Sequence, residues 1–501
     1  MQHVKTAYVE NVISRSADGI VQDLRFAVRI DNIAFEKVVE IQWCGEDGDW
    51  HINPATFHHM LPSGQELWTA HIHCALTPEQ GVPGNIRFAV RLEAQGLTFW
   101  DSNHGHNYSV DADAGAVVYS QEWLQHLHHD PVLHGGKSTL DIDTAVRASV
   151  DAHAVRVHWT TDHWKTSTIT PATRAVDHWA KTCRAAARNP NRYDWEIWRA
   201  PLPVEQAYRI EYAIECQSRQ GAFWDDNQGS NYRSSRGTLR VLTLNLHCNQ
   251  EKDQAKKLKK IARVIEQDEI DIVCLQEVAE DWNDGKGDWA TNTAHIINQH
   301  LSMPYHLHTD FSHRGFDQYR EGLAILSRHE FSFTDSGYVS ESTDIFDIHA
   351  RRVLMAQIFV PYYGPINVFS AHLSWPEDGF SQQFERLSEW VNNRQEPHLA
   401  ATLICGDFNI RADSAAYAAV VQAGDFQDQY LKVQRPDLYG QIFGIKKPAP
   451  EKTLHGDGRI DFIWMHRQSN LNALAGRELF TKETYGRVSD HSGYMVEFEP
   501  L

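Results

Sequence analysis

The sequence lacks any apolar run long enough to cross a bilayer, so a membrane-spanning protein is not expected. Its first twenty residues, MQHVKTAYVENVISRSADGI, contain no continuous apolar stretch of the kind a secretory leader needs. Paired cysteines are missing as well. The seven thiols, at 44, 74, 183, 216, 248, 274 and 405, stand apart without a Cys-x-x-Cys pair, which argues against a disulfide framework and a zinc site. Reduced thiols in a cytoplasmic protein are the expectation. A basic surplus is absent too, since the formal net charge is −19. Residues 1–236 carry −8 and the remainder −11, so neither half offers the positive footprint that nucleic-acid binding requires. What remains is an ordinary folded composition, 42% hydrophobic and 23% charged over 501 residues, enough for several domains.

One decapeptide is written almost twice. FWDSNHGHNY at 99–108 and FWDDNQGSNY at 223–232 share seven residues, which marks an internal repeat. The similarity extends upstream, to FEKVVEIQWCGEDGDWH (35–51) in the first copy and DAHAVRVHWTTDHWKTS (151–167) in the second. Apolar and polar residues alternate with period two in both, as in half-buried strands, and Gly, Asn and Asp punctuate them. Two β-sandwiches of about a hundred residues each follow from this pattern, at 1–112 and 113–236, with a linker near 111–135. Eleven of the sixteen tryptophans precede residue 237.

This pair resembles the family 21 starch-binding carbohydrate-binding modules over residues 5–110 and 136–233. The resemblance rests on FEK in the first copy, on the closing WDxNxGxNY, and on a turn that reads TTDHWKT in the second copy and CGEDGDW in the first. It implies sugar contacts at Trp50 with Tyr108 and at Trp164 with Tyr232, because an aromatic face matches the apolar C–H face of glucose while a polar tip hydrogen-bonds. Trp43, Trp100, Trp159 and Trp224 are expected in the cores.

From Thr238 onward the texture changes to strands alternating with helices. LRVLTLNLH (239–247) reads as a strand, QAKKLKKIARVIEQ (254–267) as an amphipathic helix, and DIVCLQEV (271–278) as a buried strand. EGLAILSR, INVFSAHLS, ATLICGDFN, GRIDFIWM and SDHSGYMVEF then each place polar residues at a strand end. Taken singly these motifs are weak. Their order resembles the endonuclease/exonuclease/phosphatase superfamily across residues 239–499, which implies a four-layer α/β sandwich over 237–501 and magnesium-dependent phosphoester hydrolysis.

By that resemblance Glu277, Asn245 and Asp490 hold Mg2+, with Mn2+ as a substitute, since hard cations take oxygen ligands. His491, held by Asp461, acts as base or phosphate contact. Asp407 positions water, Asn409 and His372 (paired with Glu321) donate to the phosphate, and Arg351 adds a contact. Arg352 is expected to be a solvated strand residue. Finer stretches, such as DFSHRGFDQYREGLAILSRHEF and FSAHLSWPEDGFSQQ, look closest to bacterial maltose 6′-phosphate phosphatases, which implies a phosphorylated α-glucoside as substrate and an α-glucan as partner of the modules. The rival readings are a nuclease tethered to polysaccharide, a sphingomyelinase-like phosphodiesterase without a visible membrane-facing segment, and a glycogen-binding scaffold with an inactive hydrolase domain.

Overall fold

The computed structural model describes residues 3–17, 19–77, 81–119, 122–175, 195–283, 285–315, 318–443 and 457–501, which divide between two compact units, Met1–Gly237 and Thr238–Leu501. The first unit holds two β-sandwiches. Period-two alternation turns Val39, Ile41 and Trp43 of Lys37–Cys44 inward, against Phe88, Val90 and Leu92 of Ile86–Ala94 and the facing sheet's Leu24, Phe26 and Val28. The second copy repeats the scheme with Val155, Val157 and Trp159 of Ala152–Thr160 and Ile210, Tyr212 and Ile214 of Arg209–Ser218.

The stretch expected to be a linker carries strands instead. Gly115–Val118 lies past the expected 112/113 boundary yet pairs with Val4–Ser16 of the first sandwich (Tyr8 opposite Val118), and Leu124–Leu127 pairs with Thr139–Arg147 of the second. A shared core of Ala7, Tyr8, Ala27, Ala116 and Val118 with Leu127, Ala145, Trp195 and Ile197 then joins the two sandwiches. A chain that buries apolar side chains on both flanks of a connection has no reason to leave it loose.

The second unit is a four-layer α/β sandwich. One sheet runs His306–Gly315, Tyr319–Ser327, Ile272–Asn283, Leu239–Asn245, Gly493–Pro500, Leu471–Leu479; the other runs Phe331–Tyr338, Arg352–Val360, Gly364–His372, Ala401–Asp407, Asp461–His466, Phe426–Asp428. Alternation sends Leu239 and Val241 into the layer between the sheets and Leu242 and Leu244 onto the helices α1 (Gln254–Gln267) and α2 (Thr293–Gln299). Helix α1 buries Leu258, Ile261, Ala262 and Ile265, spaced i, i+3, i+4, i+7. The other sheet is covered by α3 (Phe380–Asn393), α4 (Ala415–Ala423), α5 (Gln429–Gln434) and α6 (Pro436–Phe443) through Phe384, Leu387, Tyr417, Leu431 and Leu438.

A buried ion pair pins α5 to the second sheet. Arg459 donates to Asp428 at 2.6 Å while Tyr417 Oη donates to the same carboxylate at 3.1 Å and Asp428 caps the Leu431 N–H. Removing one member strands the other charge in the interior. Asp428→Ala is therefore expected to cost about 3–5 kcal/mol, read as a clear drop in the thermal midpoint of the full chain. A midpoint indistinguishable from wild type would mean that Arg459 escapes to solvent without penalty.

Candidate active site

Two parallel strand pairs point their carboxyl ends the same way: Leu239–Asn245 beside Ile272–Asn283, and Gly364–His372 beside Ala401–Asp407. Register places Asn245 opposite Gln276, His372 opposite Asp407, and Asp407 opposite Asp461. Close approach at this end is set by Gly406, where a Cβ would stand 1.9 Å from the Ala371 carbonyl oxygen. Only glycine fits there. Glu277 sits at a register shift in its strand with φ +50°, a conformation that costs a non-glycine residue on the order of 1–3 kcal/mol and clusters at functional sites.

Asn245 is the hub. Its amide nitrogen donates to Glu277 Oε1 at 2.9 Å and to Asp407 Oδ2 at 3.0 Å, and its oxygen accepts the His247 N–H at 3.0 Å, which fixes the amide's orientation. Asp407 Oδ2 also lies 3.7 Å from His491 Nε2 and 3.8 Å from His372 Nε2, while Asp407 Oδ1 accepts the Asn409 N–H at 2.9 Å. On its far side His491 meets Asp461 through Nδ1 at 2.8 Å. Burial, then the charge of Asp461, pushes the Asp407 carboxyl up to about 7, and burial with Glu277 does the same to Glu321. Burial alone would lower His491, but the hydrogen bond and charge of Asp461 raise it to about 9. His372 is held well below its ordinary value by burial and by the charge of Arg351. Burial lowers the Arg351 guanidinium from its ordinary value against the opposing charges of Glu321, Asp407 and Glu277.

Four carboxylates thus crowd one partly dry pocket, and Asp461 Oδ1 is buried with no hydrogen-bond partner among the described residues. That surplus of hard oxygen donors suits a divalent cation. The carboxylate and histidine atoms of Asp407, Asp461 and His491 lie close enough to share one, as do those of His247, Glu251 and Asp490.

Not every expected residue stands where the sequence put it. Asp490 is more than half exposed, with His247 Nδ1 at 3.4 Å. His372 has Asn409 (3.2 Å) as its polar partner rather than Glu321, which instead faces His313 at 3.7 Å: His313 stands opposite Glu321 in strand register, and Asn409 follows two residues after Asp407, the register partner of His372. Arg352 is not a solvated strand residue: it donates to Asp310 at 2.8 Å and lies over the Tyr338 ring. His247, His313 and Gln276 were not singled out. Thr243, Gln276 and Ser370 form a buried chain between the two sheets, with both links at 3.2 Å. The signal for His247 was present in LNLH, two residues beyond Asn245.

In the first unit the repeated decapeptide builds one loop twice. Asn103, His104, Gly105 and Asn107 all have positive φ, as do Asn227, Gln228, Gly229 and Asn231, hence the Asn and Gly in the motif. The motif aspartate ties the loop down. Asp101 Oδ1 accepts Tyr108 Oη at 2.7 Å and Oδ2 accepts the Thr6 N–H at 2.7 Å; Asp225 accepts Tyr232 Oη at 2.7 Å and the His126 N–H at 2.9 Å. Tyr232, 8% exposed and stacked on Tyr212, is a core pillar rather than an open sugar platform, and Tyr108 stacks likewise on Phe88. The motif tryptophans turn outward instead. Trp100 and Trp224 are 46% and 50% exposed, contrary to the expected core placement, since the preceding Phe99 and Phe223 take the inward positions of each hairpin. Trp43 and Trp159 are buried as expected. Trp50 and Trp164 are 47% and 37% exposed, the latter on a turn held by Asp162, Thr160 and Thr166.

Residues 242–491 match the endonuclease/exonuclease/phosphatase family, and residues 5–111 and 138–235 match the family 21 carbohydrate/starch-binding module. The second unit is an endonuclease/exonuclease/phosphatase domain. The first unit is a pair of family 21 modules. Mouse protein phosphatase 1 regulatory subunit 3B is 30% identical over 86 residues, 17% of this chain and 28% of that protein. The chain thus spans under a third of the length of the curated relative it matches. Among solved structures, an endonuclease/exonuclease/phosphatase family protein from Leptotrichia buccalis (26% identity, 52% of this chain and 99% of that one, TM-score 0.43) is similar to the endonuclease/exonuclease/phosphatase domain. So is a mannosyl-6-phosphatase from Bacteroides thetaiotaomicron (15%, 52% and 99%, TM-score 0.37). Proteins of the endonuclease/exonuclease/phosphatase family are generally divalent-metal dependent.

The pillar geometry is testable. Tyr232→Phe takes from Asp225 Oδ1 its shorter donor and leaves it only the Asn227 N–H at 3.4 Å, at a cost of about 0.5–1.5 kcal/mol, and is expected to lower the thermal midpoint while retention on amylose stays unchanged. Lost retention at full stability would return Tyr232 to the sugar surface.

Proposed function

We propose that this protein is a magnesium-dependent phosphomonoesterase that releases phosphate from a phosphorylated α-glucoside, maltose 6′-phosphate being the reference substrate, and that its module pair binds α-glucan. The reading is carried by one observation. Asn245, Asp407, His372, Asn409, Asp461 and His491 gather their polar atoms around a single carboxylate, at spacings that suit one compact dianion.

In this scheme Glu277, Asn245 and Asp490 would hold the cation, which would supply Lewis acidity and neutralise phosphoryl charge. Asp407 positions the attacking water and takes its proton as the water oxygen bonds to phosphorus and the ester P–O bond breaks, the sugar oxygen leaving as a hydroxyl with a proton from solvent. His491, cationic and oriented by Asp461, donates Nε2–H to a phosphoryl oxygen. His372, with its ring held by the Asn409 amide, and Arg351, buried beside Glu321, address the remaining oxygens. A phosphomonoester brings about two negative charges to one spot, which this cluster can meet locally. A nucleic acid spreads its charge and asks for a basic stripe, and the domain carries a net −11.

For the modules, the exposed faces of Trp50 and Trp164 are the proposed glucose contacts, while Tyr108 and Tyr232 secure the decapeptide loops through Asp101 and Asp225. Cytoplasmic residence is part of the proposal and draws on six unpaired cysteines, five of them buried; Cys183 lies outside the described residues.

EDTA is expected to abolish phosphate release and Mg2+ or Mn2+ to restore it. Asp407→Asn and His491→Ala should each lower turnover by at least about 100-fold; folded variants with near wild-type turnover would refute the assignment. Trp164→Ala should weaken retention of the full chain on amylose with a thermal midpoint within a few degrees of wild type, whereas a large loss of stability would make Trp164 a structural residue. Side-by-side assays on maltose 6′-phosphate, glucose 6-phosphate and plasmid DNA test the substrate. Rapid nicking without phosphate release from either sugar would establish a nuclease.

A further inference from the structure

Beside the phosphate-binding residues lies a pocket of about 540 Å³ that the hydrolytic chemistry does not use. That volume falls within the roughly 300–1,000 Å³ of ordinary small-molecule sites. It opens between the segment Ser340–His349 and the start of α3, and its polar groups include Glu341, Asp347, His349, Asp378, Gln382 and Arg386. We propose that this pocket holds the glycosyl portion of the substrate, so that it selects a neutral polyhydroxylated leaving group. The inference rests on the phosphomonoesterase reading above and names what that reading leaves open.

Both walls are connected to residues that address the phosphate. The first wall runs directly into Arg351, whose guanidinium donates to the Ile348 carbonyl at 2.6 Å and whose N–H donates to Ser340 Oγ at 2.8 Å. The second is tied to His372. Gln383, a lining residue, accepts the Ser374 N–H at 2.9 Å and donates to Ser374 Oγ at 3.0 Å, two residues past the histidine. A phosphoryl group held by Arg351 and His372 would therefore stand next to both walls of this space.

The lining chemistry suits hydroxyls. Glu341, Asp378 and Gln382 are exposed on the walls, and planar carboxylates and amides can each accept or exchange hydrogen bonds with a sugar's diols. Three carboxylates against one arginine make the pocket a poor place for further phosphates, which disfavours a polynucleotide continuing through it. Trp375 stands exposed at the head of the turn whose last residue is Asp378, the Asp378 N–H donating to the Trp375 carbonyl at 2.9 Å, and Phe346 is exposed on the opposite segment. Exposed aromatic rings on the segments that carry a polar pocket are the residue types that pyranose recognition uses.

The test is kinetic, on the full chain with Mg2+. Asp378→Ala and Gln382→Ala are expected to raise KM for maltose 6′-phosphate by about tenfold each, the scale of losing a hydrogen bond to a charged or polar partner, with kcat nearly constant and p-nitrophenyl phosphate hydrolysis unaltered. Unchanged KM for maltose 6′-phosphate, or equal losses on both substrates, would overturn the pocket assignment while leaving the phosphatase intact. Wild-type enzyme inert toward every sugar phosphate would instead overturn the phosphomonoesterase reading, and this inference with it.

Discussion

The catalytic end of the second unit depends on one side-chain amide. Asn245 donates from a single nitrogen to Glu277 and Asp407, carboxylates supplied by different sheets, at 2.9 and 3.0 Å. Two buried like charges repel strongly at low effective dielectric, so a neutral donor between them lets both remain near one point without cancelling either. A lysine there would neutralise the charge that a cation is needed to meet, and an aliphatic residue would leave both carboxylates unpaired. The backbone around the amide serves the same end: the register shift at Glu277 turns its carboxylate into the site, and Gly406 lets the His372 strand approach.

The same crowding explains why neighbouring histidines differ. His491 touches a carboxylate on each side, and its positive form is favoured. His372 is about equally close to Asp407 but also feels Arg351 and His313, and burial keeps it neutral. One imidazole is thus set to give a hydrogen bond from a cation, the other from a neutral ring whose tautomer depends on its neighbours.

Much of this was legible in the chain because strand ends repeat a simple grammar. An apolar run closing on Asn, Gln-Glu, His-Leu or Gly-Asp-Phe-Asn announces a buried strand with a polar mouth, and it was the order of these motifs, through the family resemblance it carries, that named Asn245, Glu277, Asp407 and His491. Relations between sheets could not. Whether His372 meets Glu321 or Asn409 depends on strand register and on how the two sheets stack, and no spacing encodes that. In the modules, period-two alternation gave the strands, but the decapeptide misled on its faces. FWD places three residues on alternating sides of a short hairpin, and either aromatic would serve as the inward one. Phe99 and Phe223 take that role, which sends Trp100 and Trp224 outward and leaves the hydroxyls of Tyr108 and Tyr232 to the motif's aspartates.

Duplication alone would give two independent sugar sites on a flexible tether. The shared core from Ala7 and Tyr8 to Trp195 and Ile197 makes a different object. Because apolar surface from both copies is buried in one cluster, the sandwiches gain stability from each other, and their exposed tryptophans keep a fixed separation. A rigid pair does not lose orientational freedom when its second site engages, so binding a helical or branched polymer at both points gains more than two loosely joined sites would. If both modules bind glucan as proposed, rigidity would also impose selectivity, since only a polymer whose repeat spans the two faces could engage both. The repeated decapeptide therefore serves the architecture first: its Asp–Tyr tether secures each loop to a strand of its own sandwich, and recognition is built on top of that support.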